Sequence, residues 1–154
     1  MGSLNMKKER KIIGWREIVD FPNFGIKKIK AKVDTGARTS SLHAYNIKVR
    51  KTSRGEYVDF EVHPEQRNTK KTIKCSSKIL EYRKIKSSNG QSELRPVVLA
   101  ELKLLGEIFT IELTLTNRDE MGFRLLLGRE SFRKNFLVDA GNSFYGEKEK
   151  KKKK

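Results

Sequence analysis

One cysteine and two histidines are all that the 154 residues hold of those types, and each shortage removes a class of protein. A lone Cys75 cannot close a disulfide within the chain, so the sequence does not describe a disulfide-stapled secreted domain. Zinc hydrolases draw on compact ligand sets such as His-Glu-x-x-His, whereas His43, His63 and Cys75 fall on separate expected strands or loops, and no metal site is assigned. A Gly-x-x-x-x-Gly-Lys-Ser/Thr phosphate loop is missing as well, so neither ATP nor any other cofactor is expected. No apolar run approaches the length that spans a bilayer, and the basic N-terminus leads into no apolar signal core. The expected address is cytoplasmic.

What the chain has in excess is positive charge, a formal +16. Part of it lies in the ends: residues 1–11 carry +3 and residues 147–154 carry +4, which leaves +9 for the body. We read 1–11 as a flexible basic tail, 12–146 as a single domain and 147–154 as a lysine-rich tail without fixed structure. A body at +9 favours acidic partners, whether phosphate backbones or glutamate-rich peptides. Hydrophobic residues at 36% exceed what a disordered chain carries, so a core is expected despite 35% charged residues.

Alternation dominates the middle of the chain. Ile29, Ala31 and Val33 face Lys28, Lys30 and Lys32 across a period of two, and the strand so defined ends on Asp34. Residues 42–49 and 57–62 flank the turn-like Thr52-Ser53-Arg54-Gly55 and predict a hairpin. Further strands are expected at 72–75, 79–85 and 94–105, with Ser87-Ser88-Asn89-Gly90 as a turn. After Gly106, Phe109, Ile111, Leu113 and Leu115 oppose Thr110, Glu112, Thr114 and Thr116, and antiparallel neighbours are expected. Residues 123–127 form a short buried run, 130–135 one short helix, and 136–139 a last strand. Many short strands and one late helix predict an all-β barrel or sandwich.

Asp34-Thr35-Gly36 admits two readings. It is an Asx-type turn leaving a strand, with Gly36 at positive φ, or it presents a catalytic carboxylate. His43 likewise either lines a cleft or is a hydrogen-bonded strand histidine, and Cys75 and Trp15 read as packing residues. Arg118 and Asp119 before Met121 read as a turn. The pair Asp34-Thr35-Gly36-Ala37 and Leu126-Leu127-Gly128-Arg129 resembles the two hallmarks of retropepsin-like aspartic proteases, in which each chain contributes one Asp-Thr-Gly loop. Residues 12–144 are similar to a bacterial family labelled ATP-dependent zinc proteases, for which a retropepsin-like fold is expected. The matching stretches are Gly14-Trp15-Arg16-Glu17, KAKVDTGARTSSLHA, Ser88-Asn89-Gly90 with Glu93-Leu94-Arg95, Leu115-Thr116-Asn117-Arg118 with Met121, and LLLGRESF followed by FLVDAG.

The resemblance implies an all-β, retropepsin-like closed barrel with one short helix near the C-terminus. It also implies hydrolysis of peptide or amide bonds by two aspartates that share one proton, because like charges in contact cannot both ionise. One Asp-Thr-Gly per chain then requires a homodimer with Asp34 from each subunit. Thr35 would tie the loop to its partner, and Gly36 would offer an N–H with no side chain in the way. Ala37, Arg38 and His43 would line the substrate, Leu126 and Leu127 would fill the core, and Gly128 would allow close passage under the loop. Viral-type enzymes carry an acidic residue after this stretch to pair with the arginine of Gly-Arg. Here Arg38-Thr39-Ser40-Ser41 stands instead, so Arg129 needs Glu130, Asp139 or a neighbouring subunit. Arg38 favours an acidic side chain or a C-terminal carboxylate, and relatives associated with ATP-grasp glutamate ligases point to glutamate-rich peptides. Residues 42–62 are the expected flap. The rival class is a non-catalytic basic module that holds RNA or an acidic protein through Lys27, Lys28, Lys30, Lys32, Lys48, Arg50, Lys51 and Arg54, with Tyr57 and Phe60 interleaved.

Overall fold

The computed structural model describes residues 9–64, 71–86, 90–117 and 122–147. Most of both expected tails, residues 66–70, the Ser87–Asn89 turn and Arg118, Asp119 and Met121 lie outside the described residues. In chain order the strands are β1 (Lys11–Gly14), β2 (Arg16–Phe21), β3 (Ile26–Asp34), β4 (Ser40–His43), β5 (Tyr45–Thr52) and β6 (Gly55–Val62), followed by β7 (Ile73–Lys78), β8 (Glu81–Lys86), β9 (Ser92–Leu104), β10 (Glu107–Thr116), β11 (Leu125–Gly128) and β12 (Phe136–Asp139). A 3-10 turn, Pro22–Phe24, joins β2 to β3, and α1 (Arg129–Phe132) follows β11 directly.

Seven strands run in the order β10-β4-β11-β3-β2-β9-β8, and a further β9–β10 pairing closes the first six into a ring. The ring has an inside because the strands alternate: Ile29, Ala31 and Val33 of β3, Leu113 and Leu115 of β10, and Leu125 and Leu127 of β11 are buried in one core. The fold is therefore the all-β, retropepsin-like closed barrel expected above. The antiparallel expectation holds for β9–β10, but β3–β11, β4–β10 and β1–β12 pair in parallel. Parallel partners need long connections, and here each joins strands far apart in the chain.

The expected strand over 42–49 divides at Ala44. Ala44 N–H still donates to the Thr116 carbonyl at 2.9 Å, holding the end of β4 on the barrel, while β5 leaves to form a separate three-stranded sheet, β5-β6-β7. Val58, Phe60 and Val62 of β6 send their side chains back into the core, where the Phe60 ring meets Phe24 edge-on at 5.5 Å. The expected helix over 130–135 is shorter, a single turn at Arg129–Phe132.

Two early strands went unanticipated. β1 lies parallel to β12, with Ile13 buried beside Val138. β2 buries Glu17 completely, at 0% exposure. Its carboxylate accepts from the amides of Gly14 at 2.7 Å, Tyr145 at 2.9 Å and Gly146 at 3.1 Å, which ties the segment after β12 to the barrel. Among the described residues no helix is long and apolar enough to cross a membrane.

Candidate active site

Strand alternation decides where Asp34 points. Val33 is inside, so Lys32 and Asp34 lie on the outer side of β3, and Asp34 is partly exposed at the strand end. Asp34 Oδ1 accepts the Gly36 amide at 2.9 Å, and Ala37 N–H donates to the Asp34 carbonyl at 3.2 Å. This is an Asx-type turn, and it leaves the carboxylate presented at the strand end. Gly36 is not at positive φ, contrary to the turn reading. A Cβ there would stand 3.3 Å from Asp34 Oδ1, so what the site needs at residue 36 is space beside the carboxylate. Among the described residues the Gly36 amide is the one donor to this side chain.

β11 and the start of α1 brace the loop from beneath. Gly128 lies opposite Asp34 in the parallel register, and its amide donates to Ser40 Oγ at 3.0 Å. Ser40 Oγ also makes a short hydrogen bond with Ser131 Oγ. The Arg129 amide donates to the Ala37 carbonyl at 2.8 Å, and the Glu130 amide to the Arg38 carbonyl at 3.3 Å. Arg129 finds its partner in the loop itself: Nη1 reaches the carbonyl oxygens of Gly36 at 3.3 Å and Thr35 at 3.5 Å. The acidic partners expected for it are engaged elsewhere, Glu130 with Arg133 at 3.5 Å and Asp139 with Tyr145 Oη at 2.5 Å. Leu127 is a core residue as expected, but Leu126 sits beside Lys32 on the outer side, 7% exposed.

That outer side is sheltered. Thr114 at 0%, Thr116, Arg95 and Arg124 at 6% and His43 at 5% exposure all lie there. Arg95 donates to Glu93 and to Ser41 Oγ, each at 3.0 Å, and Arg124 donates to Tyr45 Oη at 2.7 Å. His43 N–H donates to the Arg124 carbonyl, which places His43 four residues along β11 from Gly128, roughly 13 Å at strand rise.

The loop after Asp34 also borders a groove of about 660 Å³. Its lining includes Arg38 and Thr39 of the loop, Arg83 and Lys84 of β8, and Glu112 and Glu130. Residues 42–62, the expected flap, contribute nothing to this lining, because their hairpin belongs to the separate sheet and packs β6 on the core. Sequence reasoning missed Ser40, Arg83 and Lys84, and nothing in their local pattern marks them.

Two alternative sites fare differently. His43 and His63 both pack on Tyr45, at ring distances of 4.7 and 4.3 Å, but among the described residues no three His, Cys, Asp or Glu side chains gather as a metal requires. Among the described residues no ligand set fits zinc. In the basic patch proposed for RNA, Phe60 is buried at 2% exposure and cannot stack on a base. Arg50 of that patch is paired with Asp59 at 2.7 Å.

A closed barrel bearing an Asp-Thr-Gly loop braced by a Gly-Arg turn defines the retropepsin-like class. The profile of the RimB-like family, described as retropepsin-like aspartic endopeptidase RimB, matches residues 12–149, and the chain belongs to that family. Curated relatives carry a different name. A "Probable alpha-L-glutamate ligase" of Shewanella pealeana is 49% identical over 144 residues, which is 93% of this chain and 31% of the relative. Proteins of the same name from Shewanella halifaxensis and Parasynechococcus marenigrum are 48% and 45% identical, over 90% and 86% of this chain and 30% and 28% of theirs. The chain thus spans under a third of the length of these relatives. A crystal structure from Legionella pneumophila, of a protein of unknown function, superposes with a TM-score of 0.73 at 29% identity, covering 90% of this chain and 99% of that one. None of these comparisons carries the zinc-protease label.

Proposed function

We propose that the chain is an aspartic peptidase that hydrolyses peptide or amide bonds of acidic, glutamate-containing peptides, with a catalytic pair made of Asp34 from two subunits. The observation that carries this reading is the Asp34 carboxylate itself, partly exposed, oriented by one amide and held on a loop whose carbonyls are fixed by β11 and α1. Family membership supports the reaction class. The sequence holds a single Asp-Thr-Gly, so the second carboxylate comes from a second copy across a two-fold axis.

In the pair, one carboxylate is ionised and the other protonated, and the pair titrates as a unit. The ionised member takes a proton from a water molecule as its oxygen attacks the carbonyl carbon. The protonated member gives its proton to the carbonyl oxygen. The tetrahedral intermediate then collapses: the C–N bond breaks, the proton held by the first carboxyl passes to the departing amine, and a hydroxyl of the intermediate returns its proton to the second carboxylate as the C=O bond reforms, which restores the pair. Thr35 ties the two loops together, and Ala37 and Arg38 meet the substrate beside the scissile bond.

The substrate class rests on the basic surroundings of the loop and on the glutamate ligases that contain a homologous segment. A functional association with an ATP-grasp glutamate ligase, in the same chain or between chains, follows from that reading. The activity belongs in the cytoplasm, in keeping with the unpaired, buried Cys75. The test is cleavage of a glutamate-rich peptide by wild type and by Asp34→Asn, with molar mass by light scattering. Cleavage by a dimer, abolished in a variant that still dimerises, is the expected result; a monomer that cleaves, or an active Asp34→Asn, overturns the proposal.

A further inference from the structure

Charges on the groove beside the Asp34 loop are mostly cancelled in place. Arg83 Nη2 lies 2.7 Å from Glu112 and 3.2 Å from Glu81, and the contact with Glu112 raises the Arg83 pKa further. Glu130 is paired with Arg133. Two cations remain, Arg38 on the loop and Lys84 on β8; both are exposed and both line the groove. Among the described residues neither has an acidic partner.

We infer that the groove is a carboxylate-binding subsite in which Arg38 of the loop and Lys84 of β8, both in its lining, bind an acidic group of the substrate. The inference rests on the proposed peptidase reading and deepens it by naming the residues that set substrate preference. Ala37 and Arg38 directly follow the Asp-Thr-Gly, so a chain held at Asp34 passes the groove within a few residues of the bond to be cut, at about 3.3 Å per extended residue. Arg38 can meet a carboxylate with two parallel N–H bonds, while Lys84 acts as a point charge. The neutralised Arg83–Glu112 pair keeps the lining polar without offering a competing free cation. A groove of about 660 Å³ has room for a glutamate side chain with its water. The same chemistry would accept a chain-terminal carboxylate, and the two sources are separable.

The test uses the full chain carrying Asp34→Asn, so that binding is read apart from turnover. Anisotropy is measured for a labelled oligoglutamate peptide, its glutamine isostere, and both peptides with amidated C-termini. The glutamate peptide is expected to bind at least roughly tenfold tighter than the glutamine one, with a preference that weakens as salt is raised. Arg38→Gln and Lys84→Gln each reduce that ratio, and the double variant brings it close to one. Lys103→Gln, a cation of β9 outside the groove, leaves it unchanged. Binding of the glutamine peptide that is lost on amidation assigns the subsite to the chain end; loss on glutamine replacement assigns it to side chains. Equal binding of all four peptides overturns the inference, as does a ratio that survives the double variant or falls equally with Lys103→Gln. Failure of the peptidase reading looks different: the wild-type chain keeps the glutamate preference and cleaves nothing.

Discussion

Gly128 passes so close under the loop after Asp34 that a Cβ on it would stand 2.6 Å from the carbonyl carbon of Thr39 and 2.7 Å from that of Arg38. Both obstacles are backbone and cannot swing aside. Gly128→Ala must therefore push β11 away from the loop, break the bond from its amide to Ser40, or both. The expected cost is about 2–4 kcal/mol in urea unfolding. Gly25→Ala is the useful contrast, because its positive φ of 69° strains a side chain while nothing stands within 4 Å; it costs about 1 kcal/mol and leaves the loop alone.

Gly128 also shows how far the sequence could be read. The close approach at Gly128 was implied by the resemblance of Leu126-Leu127-Gly128-Arg129 to the retropepsin hallmark, and the alternation before Asp34 announced the strand that ends on it. β2 was less legible, because its inward positions read Glu17, Val19, Phe21. A buried carboxylate breaks the apolar alternation that marks a strand, and the three amides that justify it come partly from residues 145 and 146, invisible to any local pattern. β1 depends on a parallel partner at the other end of the chain. The hairpin of residues 42–62 shows the same limit: a polar tip looks alike whether its strands cover a cleft or, as with Phe60, pin a side sheet to the core.

Removing Glu17 should release the C-terminal segment. Glu17→Ala strands one buried amide, Gly14, and two half-buried ones, Tyr145 and Gly146, and a loss on the order of 2–3 kcal/mol is expected. Glu17→Gln keeps one acceptor oxygen and falls between the variant and wild type. Hydrogen exchange of the Tyr145 and Gly146 amides is the discriminating measurement. If both stay protected in Glu17→Ala, the carboxylate is not what holds them.

Cys75 should be inert until alkaline pH. Burial pushes its thiol up to about 11, with Sγ near the carbonyls of Phe24 and Ile73. At pH 8 only about a thousandth of it is thiolate, far less than for an ordinary cysteine. Alkylation of the native chain is expected to be slow at pH 8, to accelerate toward pH 11 and to be fast in urea at either pH. The raised value also fixes a stability sign: the unfolded thiol ionises first, so Cys75 subtracts stability as pH rises from the ordinary cysteine range toward about 11. Rapid labelling of folded protein at pH 8 would contradict this burial.

Arg129 offers a separation of positioning from stability. Its Nη1 bonds to the Gly36 and Thr35 carbonyls are long, at 3.3 and 3.5 Å, and exposed, so Arg129→Met should lower stability by less than about 1 kcal/mol. The backbone they hold carries Asp34, and a small shift there moves the carboxylate away from its counterpart in the second subunit. On the proposed reaction kcat should fall by roughly tenfold to a hundredfold while KM changes little, because the interaction lost serves the reacting geometry and not substrate affinity. Arg129→Lys keeps a cation able to donate to the same oxygens and should recover part of the rate. A purely structural arginine would give the opposite pattern: a large drop in unfolding midpoint, kcat unchanged in the fraction that folds, and no rescue by lysine.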